Sequence, residues 1–271
     1  MHGQNIFLNQ PLAIDKNYLL STIANIISGY QQKNFSSAES ILQKAQSKIE
    51  MQANSAVTSG ADVFPVVLDI NGPIIKYSSW YYLGTQDIIA ILRRLDRNSS
   101  VSGIVLNIDS GGGMVSGTAE LTHTIKNLSK PTIAYTGGYM CSAAMDIASG
   151  AQFRMANPFA DLIGSIGTML SYQDFSKMFE KWGATIYEIY APQSTEKNKE
   201  FRDLQAGDSK AYEQRLKEMT ADFISRMQEN LKETLKDDEL VMKGKTYTPK
   251  QALSVGLINE IGTLDDALAK F

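Results

Sequence analysis

Two reactive side chains stand side by side in the stretch GGYMCS, residues 137–142. Cys141 and Ser142 lie between a predicted strand and the short predicted helix CSAAMDIASG, so either side chain could act as a nucleophile there. A thiol is intrinsically the stronger nucleophile, but a single cysteine beside alanines is more often a small buried side chain. Serine is also a common helix N-cap with no catalytic role. The residue types alone leave these readings open.

A second candidate loop is DSGGG, residues 109–113, which follows the apolar run GIVLNI and precedes another predicted helix. Three consecutive glycines allow a sharp turn and a close approach of backbone N–H groups to a ligand. Such a loop suits an oxyanion or a phosphate, although a plain strand-to-helix turn would have the same composition. The Lys-Ser/Thr ending of a P-loop is missing, which disfavours the phosphate.

A nucleophilic serine needs a base, and the chain has only two histidines. His2 lies in the first residues, and His123 points away from the apolar stripe of its predicted helix. A lysine remains as the candidate base. Lowering the pKa of a lysine from about 10.4 to about 7 by burial costs roughly 4 to 5 kcal/mol, which is within the range that buried amines reach.

The elements that must position these residues alternate between strand and helix. Short apolar runs predict the strands, and apolar residues at helical spacing predict the helices between them. This alternation predicts an α/β fold with a mostly parallel sheet, in which functional loops leave the carboxyl ends of the strands. The predicted strands are 64–70, 102–109, 131–136 and 185–191, and the predicted helices are 85–98, 114–128, 141–150 and 209–235.

A helical N-terminal arm precedes this region. Helical spacing of apolar residues predicts one helix over 18–27 and another over 37–52. The small and polar stretch ANSAVTSGA, residues 53–61, predicts a linker. We therefore expect an arm over residues 1–60 and a second domain over residues 61–271.

Composition and charge exclude several classes of protein. The chain has 271 residues and a formal net charge of -3, with basic and acidic residues mixed, so it offers no basic stripe for a nucleic acid. A single cysteine rules out an internal disulfide and a multi-cysteine metal site. The early residues form neither a signal peptide nor a membrane span.

Four stretches follow one another along the chain: VLNIDSGGGMVSG, KPTIAYTGGYMCSAAMDIASGA, MANPFADLIGSIGTM and GKTYTPKQALSVGLINEIG. In this order they resemble the signal peptide peptidase A family of serine peptidases, and most of all its cytoplasmic and phage-encoded members, the capsid or prohead peptidases. The resemblance covers roughly residues 63–265, and four motifs in order are far more specific than one. It implies a Clp/crotonase-like fold of repeated strand-strand-helix units, with the helical arm and the long C-terminal helix added.

The resemblance also implies roles for individual residues. The nucleophile of the family falls on Ser142, and its oxyanion donors fall on the backbone N–H groups of Gly112 and Gly113. The serine of GSIG is Ser165, which would hold the amine of the lysine by a hydrogen bond. The base of the family falls in APQSTEKNKEF, where Lys197 is favoured and Lys199 is the alternative; the glycine that usually precedes this lysine is missing.

The expected function is therefore that of a serine endopeptidase with a Ser/Lys dyad, without a cofactor or a metal. We expect a peptide or protein substrate in extended conformation, bound as an added strand, and a ring-like homo-oligomer in the cytoplasm or in a phage prohead. Capsid or scaffold proteins of a phage are candidate partners. Two alternatives remain: an inactive scaffold or assembly protein, and a crotonase-like enzyme acting on an acyl-CoA.

Overall fold

The structure is a computed structural model, and it describes residues 11–14, 18, 22, 37–79, 81–172, 175–185, 187–236 and 239–271. Its strands are β1 (Pro11–Ile14), β2 (Phe64–Asn71), β3 (Val101–Asp109), β4 (Gly112–Met114), β5 (Thr132–Thr136), β6 (Tyr139–Cys141), β7 (Phe153–Ala156), β8 (Leu162–Gly164), β9 (Met169–Leu170), β10 (Thr246–Tyr247) and β11 (Glu260–Ile261). Its α-helices are α1 (Ala38–Thr58), α2 (Thr85–Asp96), α3 (Thr118–Lys126), α4 (Ala143–Ser149), α5 (Ser176–Lys181), α6 (Lys199–Gln205), α7 (Lys210–Leu231), α8 (Pro249–Val255) and α9 (Leu264–Leu268), with a 3-10 turn at Val241–Lys243.

The central element is a parallel five-stranded sheet in the order β11-β7-β5-β3-β2, and the two candidate loops follow its strands β3 and β5. Successive side chains of a strand point to opposite faces, and both faces of this sheet are covered. On one face Ile104, Leu106 and Ile108 of β3 join the main core with helices α2, α3 and α4. On the other face Val105 belongs to a smaller core closed by α9. This double burial explains why the strands are almost continuously apolar.

Two small sheets extend the fold above the carboxyl ends of these strands. One has the order β10-β8-β6, and the other has the order β4-β1-β9. Strand β6 carries the residues directly before Ser142, and β4 contains Gly112 and Gly113. The two loops predicted to hold the chemistry are therefore built into sheets and are not free turns.

Helix α1 differs from the expectation for residues 53–61. The helix continues to Thr58, so the predicted linker is wrong over most of its length. The reason is packing against β2, an edge strand whose backbone needs partners. The Gln52 side chain accepts a hydrogen bond from the Val67 N–H at 2.8 Å and donates one to the Val67 carbonyl oxygen at 3.0 Å. Of the helix predicted over 18–27, only Tyr18 and Thr22 are described, and both are helical; the rest lies outside the described residues.

The strand predicted at 185–191 is also wrong. Residues 185 and 187–191 have no regular secondary structure, and residue 186 lies outside the described part of the chain. Tyr187 is 83% exposed and Ile189 is 94% exposed, so no neighbouring strand covers their apolar side chains. An alternating apolar pattern gives a strand only where a partner strand supplies hydrogen bonds.

The long helix predicted over 209–235 is present as α7. Phe223, Met227 and Leu231 are buried in the core, whereas the stripe residues of the first half, such as Leu216, are only half-buried. None of the described helices is both long enough and apolar enough to cross a membrane.

Candidate active site

Ser142 lies at the junction between β6 and α4 and is 1% exposed. Its backbone has φ 56 and ψ -119, a conformation that is strained for any residue other than glycine. Two hydrogen bonds hold this backbone: the Ser142 N–H donates to the Gly164 carbonyl oxygen at 2.7 Å, and the Asp146 N–H donates to the Ser142 carbonyl oxygen at 2.9 Å. The sharp turn puts the Ser142 side chain at the end of a strand, and a nucleophilic serine can stand on such a turn between a strand and a helix.

The hydroxyl of Ser142 is not used to cap the helix. Ser142 occupies the N-cap position of α4, but its side chain makes no capping hydrogen bond. Its Oγ donates instead to the Gly167 carbonyl oxygen over a long 3.4 Å, a weak interaction. The N-cap alternative therefore does not account for a serine at this position.

Cys141 is the neighbouring candidate, and it is fully buried in β6. Its Sγ donates to the Leu162 carbonyl oxygen at 3.3 Å, and its N–H donates to the Ser110 carbonyl oxygen at 3.1 Å. Consecutive residues of a strand point to opposite sides. Cys141 thus has the surroundings of a small packed side chain.

The glycine loop of residues 110–113 runs directly beside Ser142. Gly112 has φ 105, and a Cβ on it would lie 2.9 Å from the Cβ of Ser142, so only a glycine brings the backbone this close. The Gly112 N–H donates to the Ser110 Oγ at 3.1 Å. A Cβ on Gly113 would meet the Ile74 carbonyl oxygen at 2.0 Å, so this position also requires glycine.

Hydrogen bonds fix the two loops to each other. The Ser110 N–H donates to the Tyr139 carbonyl oxygen at 2.8 Å, and the Tyr139 N–H donates to the Asp109 carboxylate at 3.0 Å. Because Asp109 ends β3 and Tyr139 begins β6, the glycine loop and the turn that carries Ser142 form one rigid unit. The distance between the glycine backbone and the serine is thereby fixed by the fold.

Ser165, the candidate support for a lysine, follows Gly164, the residue that accepts the hydrogen bond from the Ser142 N–H. Its backbone has φ 56, and its N–H donates to the Lys245 carbonyl oxygen at 2.9 Å. Ser142 and Ser165 are therefore brought into neighbouring positions by β6 and β8, which run parallel.

The two candidate lysines are not brought to this place. Lys197 and Lys199 are exposed at the start of α6. The Lys199 amine pairs with the Asp203 carboxylate at 2.5 Å, and this hydrogen bond raises the pKa of Lys199, which favours the charged form. Among the described contacts of Ser142, the side-chain partner is the Gly167 carbonyl oxygen and not an amine. His123 is exposed on α3, as expected.

Sequence reasoning missed an ion pair directly behind the turn that carries Ser142. Asp146, one turn after Ser142, is 2% exposed and pairs with Arg226 of α7 at 2.8 Å. The Thr122 hydroxyl donates to the same carboxylate at 3.1 Å. Burial raises the pKa of Asp146, and Arg226 and Thr122 offset this in part. The only sequence signal was an acidic residue in a stretch of small apolar ones.

Sequence reasoning also missed strand β1, which lies across the site. It runs antiparallel to β4 on one side and antiparallel to β9 on the other. Leu12, Ala13 and Ile14 are at most 4% exposed there. The apolar run PLAI is the one signal that could have indicated a buried strand, and its short length gave no periodicity to measure.

Comparison with protein families supplies one match that contains the site. The model described as peptidase family S49 matches residues 124–271, which is more than half of the chain. Ser142, Ser165 and both candidate lysines fall inside it. The family expected from the four sequence motifs is thereby confirmed.

Two curated relatives have names that describe proteases. "Putative protease MJ0651" of Methanocaldococcus jannaschii is 27% identical over 200 residues, which are 73% of this chain and 62% of that protein. "Capsid assembly protease C" of Escherichia phage lambda is 24% identical over 289 residues, which are 98% of this chain and 64% of that protein. The chain spans less than two thirds of the length of either relative.

Among solved structures, a mutant of the 1510-N membrane-bound stomatin-specific protease has a similar fold. Its TM-score is 0.52 at 19% identity, with 78% of this chain and 85% of that chain covered. At this identity the likeness concerns the fold alone. It confirms the predicted α/β fold.

Proposed function

This chain belongs to peptidase family S49, and on that premise we propose that it hydrolyses peptide bonds with Ser142 as the nucleophile. The observation that carries the proposal is the Ser142 turn. A buried serine with a strained backbone, no capping hydrogen bond and a glycine backbone against its Cβ is what acyl transfer requires. Strain of this kind costs of order 1–3 kcal/mol and persists where the surrounding structure maintains it.

Two backbone N–H groups are the proposed oxyanion donors on either side of the nucleophile. Gly113 supplies one, since its neighbours Gly112 and Met114 use the opposite edge of β4 to bond Ile74, at 2.9 and 2.8 Å. Ala143 supplies the other, because the N–H of the first residue of a helix has no partner within the helix. Gly112 is then a positioning residue, since its own N–H is bonded to Ser110.

Lys197 is the proposed general base, with Lys199 as the alternative and Ser165 as the residue that orients the amine. The lysine reaches Ser142 only if the segment that precedes α6 folds over the site. The exposed side chains of Tyr187 and Ile189 support such a movement, because closure would cover them. An amine accepts a proton only in its neutral form, and removal from water favours that form.

The proposed reaction has two halves. The Ser142 Oγ attacks the peptide carbonyl carbon while its proton passes to the lysine amine, and the N–H groups of Gly113 and Ala143 stabilise the oxyanion. The lysine then gives the proton to the leaving nitrogen as the C–N bond breaks. Water hydrolyses the resulting ester with the lysine again as the base, and the serine is regenerated.

The substrate class that we propose is an extended polypeptide segment. β1 runs between β4 and β9 and pairs with both, and an extended peptide that took the place of β1 would gain backbone hydrogen bonds on both sides. A capsid protein or scaffold protein of a phage is one candidate, supported by the relative named as a capsid assembly protease. The exposed apolar residues before α6 further support assembly into a homo-oligomer, which we propose to be ring-like.

A fluorophosphonate probe tests the proposal, since it phosphonylates an activated serine with loss of fluoride. We expect labelling of the wild-type chain at Ser142, identified by mass spectrometry of the labelled peptide. Ser142→Ala should abolish labelling, whereas Cys141→Ala, one residue away, should retain it.

The other outcomes separate the alternatives. Labelling at Cys141 would make the thiol the nucleophile. A chain that never labels, in dilute or in concentrated solution, would contradict the peptidase and favour the scaffold protein. Retention of an acyl-CoA on purification, with activity towards it unchanged in Ser142→Ala, would favour the crotonase-like enzyme.

A further inference from the structure

Strand β1 fills the gap in which the proposed substrate would lie. Its residues pair with the glycine loop in a defined register: Ile14 lies opposite Gly112, Ala13 opposite Gly113, and Leu12 opposite Met114. On the other side, Leu12 lies opposite Met169 of β9. The chain thus adds one of its own segments as the middle strand between the two walls of the site.

The carbonyl group of Ala13 points at the proposed oxyanion site. Gly112 and Met114 make their hydrogen bonds to Ile74, and backbone groups of neighbouring residues in a strand face opposite edges, so the N–H and C=O of Gly113 face β1. Ala13, opposite Gly113, therefore directs its carbonyl oxygen to the Gly113 N–H.

The same carbonyl group is also a neighbour of the nucleophile. The Ala13 oxygen lies 2.2 Å, and the Ser142 Cβ 2.9 Å, from the point at which a Cβ on Gly112 would stand. The absence of a side chain at Gly112 is what allows the two to share this space. Of the three buried β1 residues, Ala13 is thus the one whose carbonyl group lies beside both Gly112 and Ser142.

Ala13 lines a small cavity. The cavity has a volume of about 10 Å³, which is at the lower limit of what one water molecule needs. Asp146 and Arg226, the ion pair behind Ser142, line the same cavity, together with Phe223 and Thr168. The space beside the Ala13 methyl group is therefore too small for a long side chain.

Tyr18, a described residue that follows β1, also lies on the site. The ring of Tyr18 packs on the glycine loop, because a Cβ on Gly111 would lie 2.2 Å from the Tyr18 Cγ. It also stacks at a tilt on the ring of Tyr139, with 5.5 Å between the ring centroids. Thr22, further along, is 4% exposed. Contacts on both sides of the Ala13–Ile14 bond thus hold this bond against the site.

We propose that the Ala13–Ile14 peptide bond is a self-cleavage site, cut within the same chain by Ser142. This inference rests on the proposed function. The Ser142 Oγ forms an ester with the Ala13 carbonyl carbon, and its proton passes through the general base to the Ile14 nitrogen as the C–N bond breaks. One water molecule then hydrolyses the ester. The products are a carboxylate at Ala13, an amino group at Ile14 and a free serine.

Self-cleavage has a consequence for other substrates. As long as β1 is intact it fills the gap between β4 and β9, so a second peptide cannot enter. Cleavage removes the covalent connection across the site and allows the segment before Ile14 to leave. Hydrolysis of an added peptide should therefore begin after a lag that matches the appearance of the chain beginning at Ile14.

The test is incubation of the full chain, followed by intact-mass measurement and sequencing of the new N-terminus. We expect wild-type chains to lose residues 1–13 and to begin at Ile14, with a first-order rate that dilution does not change. Ser142→Ala should stay intact. Fluorophosphonate labelling of the same wild-type samples reports on the proposed function independently.

Substitutions at Ala13 test the small cavity. Ala13→Arg should slow cleavage about 100-fold, because a side chain that displaces the strand by about 1 Å takes the carbonyl group out of reach. Ala13→Ser, whose side chain is nearly as small as that of alanine, should be cleaved at the same bond and at close to the wild-type rate. Ala61→Arg places the same change at an exposed alanine and should cleave as the wild type does. Thermal melting of each variant shows that it is folded.

Each remaining outcome decides the matter. Wild-type chains that label at Ser142 but stay intact, or are cut only at another bond, would overturn this inference and leave the proposed function standing. Chains that neither label nor cleave would overturn both. Cleavage of Ser142→Ala at the same bond, or a rate proportional to concentration, would overturn cleavage by the same chain.

Discussion

The Cβ of Ser142 lies 2.9 Å from the point where a Cβ on Gly112 would stand, so the turn that carries Ser142 and the glycine loop are in contact only because Gly112 has no side chain. The contact joins two different strand ends of the parallel sheet. It also fixes the direction in which the Gly113 N–H points.

Gly112→Ala tests this contact. The new Cβ would meet the Ala13 carbonyl oxygen at 2.2 Å, and φ 105 is unfavourable for alanine. We expect fluorophosphonate labelling at Ser142 to slow by about 100-fold, since displacing the loop moves the proposed oxyanion donor, the Gly113 N–H, out of position, and loss of such a donor costs that much or more. Gly137→Ala is the matched control, because its Cβ would have no neighbour closer than 3.7 Å. Equal labelling rates in the two variants would contradict the prediction.

The choice between the two lysines has a simple kinetic test. Lys197→Ala should slow labelling about 100-fold or more, as loss of a general base does. Lys199→Ala should change it little, because the hydrogen bond to Asp203 raises the pKa of Lys199 and keeps the amine charged. The reverse result would assign the base to Lys199. Unchanged rates in both variants would leave the serine without a lysine partner.

Assembly should depend on the apolar residues before α6. Trp182 is 71% exposed and Ile189 is 94% exposed, and apolar side chains of this size are stabilised when another subunit covers them. We expect light scattering after size-exclusion chromatography to give a homo-oligomer for the wild type and smaller species for Ile189→Asp. Val57 lies on α1 and is 70% exposed, and Val57→Asp should assemble as the wild type does. A wild-type monomer at micromolar concentration would refute the prediction.

The ionisation of Asp146 should change the free energy of unfolding with pH. Burial raises the pKa of this carboxyl in the folded chain, and Arg226 offsets the effect only in part. A raised pKa contributes stability that is complete below the unfolded pKa and is lost as pH rises through the folded pKa. The free energy of unfolding of the wild type, relative to Asp146→Asn, should therefore fall as pH rises above about 4.

Urea unfolding at a series of pH values measures this difference. Asp161→Asn, at an exposed position, serves as the control, and its free energy of unfolding should change with pH as that of the wild type does. A wild-type stability that rises with pH relative to Asp146→Asn would show that the pairing with Arg226 outweighs burial.

Arg154 is a buried cation whose hydrogen-bond partners among the described residues are all neutral. It is 3% exposed and donates to the Leu257 and Ala151 carbonyl oxygens at 3.0 and 3.2 Å and to the Thr234 hydroxyl at 3.1 Å. Burial lowers its pKa to about 10. Arg154→Ala should reduce the free energy of unfolding by about 2–4 kcal/mol, because it leaves buried acceptors unpaired.

Chemical denaturation of the Arg154 variant beside Arg97→Ala checks this value. Arg97 is exposed, so its truncation should stay within about 0.5 kcal/mol of the wild type. A similarly small effect at Arg154 would mean that water replaces the guanidinium at its acceptors.

Much of the fold was predictable because its signals are local. The apolar runs around Leu68, Leu106 and Ala134 are strands, and the helix that begins at Thr85 is where its apolar spacing predicts. The sequence failed at 185–191, where the pattern of a strand is present but no partner strand pairs with it. It also failed at 53–58, where contacts with β2 keep a polar stretch helical.

The sequence by itself determined the residue types of the site: a serine at the end of a strand, consecutive glycines at the end of another, and a histidine, His123, on the outer side of its helix. Only the tertiary structure decided which of these groups meet. It joins Ser142 to Gly112 and lays Ala13 between them, and it leaves Lys197 in solvent. Secondary structure follows largely from neighbours along the chain. The approach of Gly112 to Ser142 and the position of β1 beside them depend on contacts between segments that are distant in the sequence.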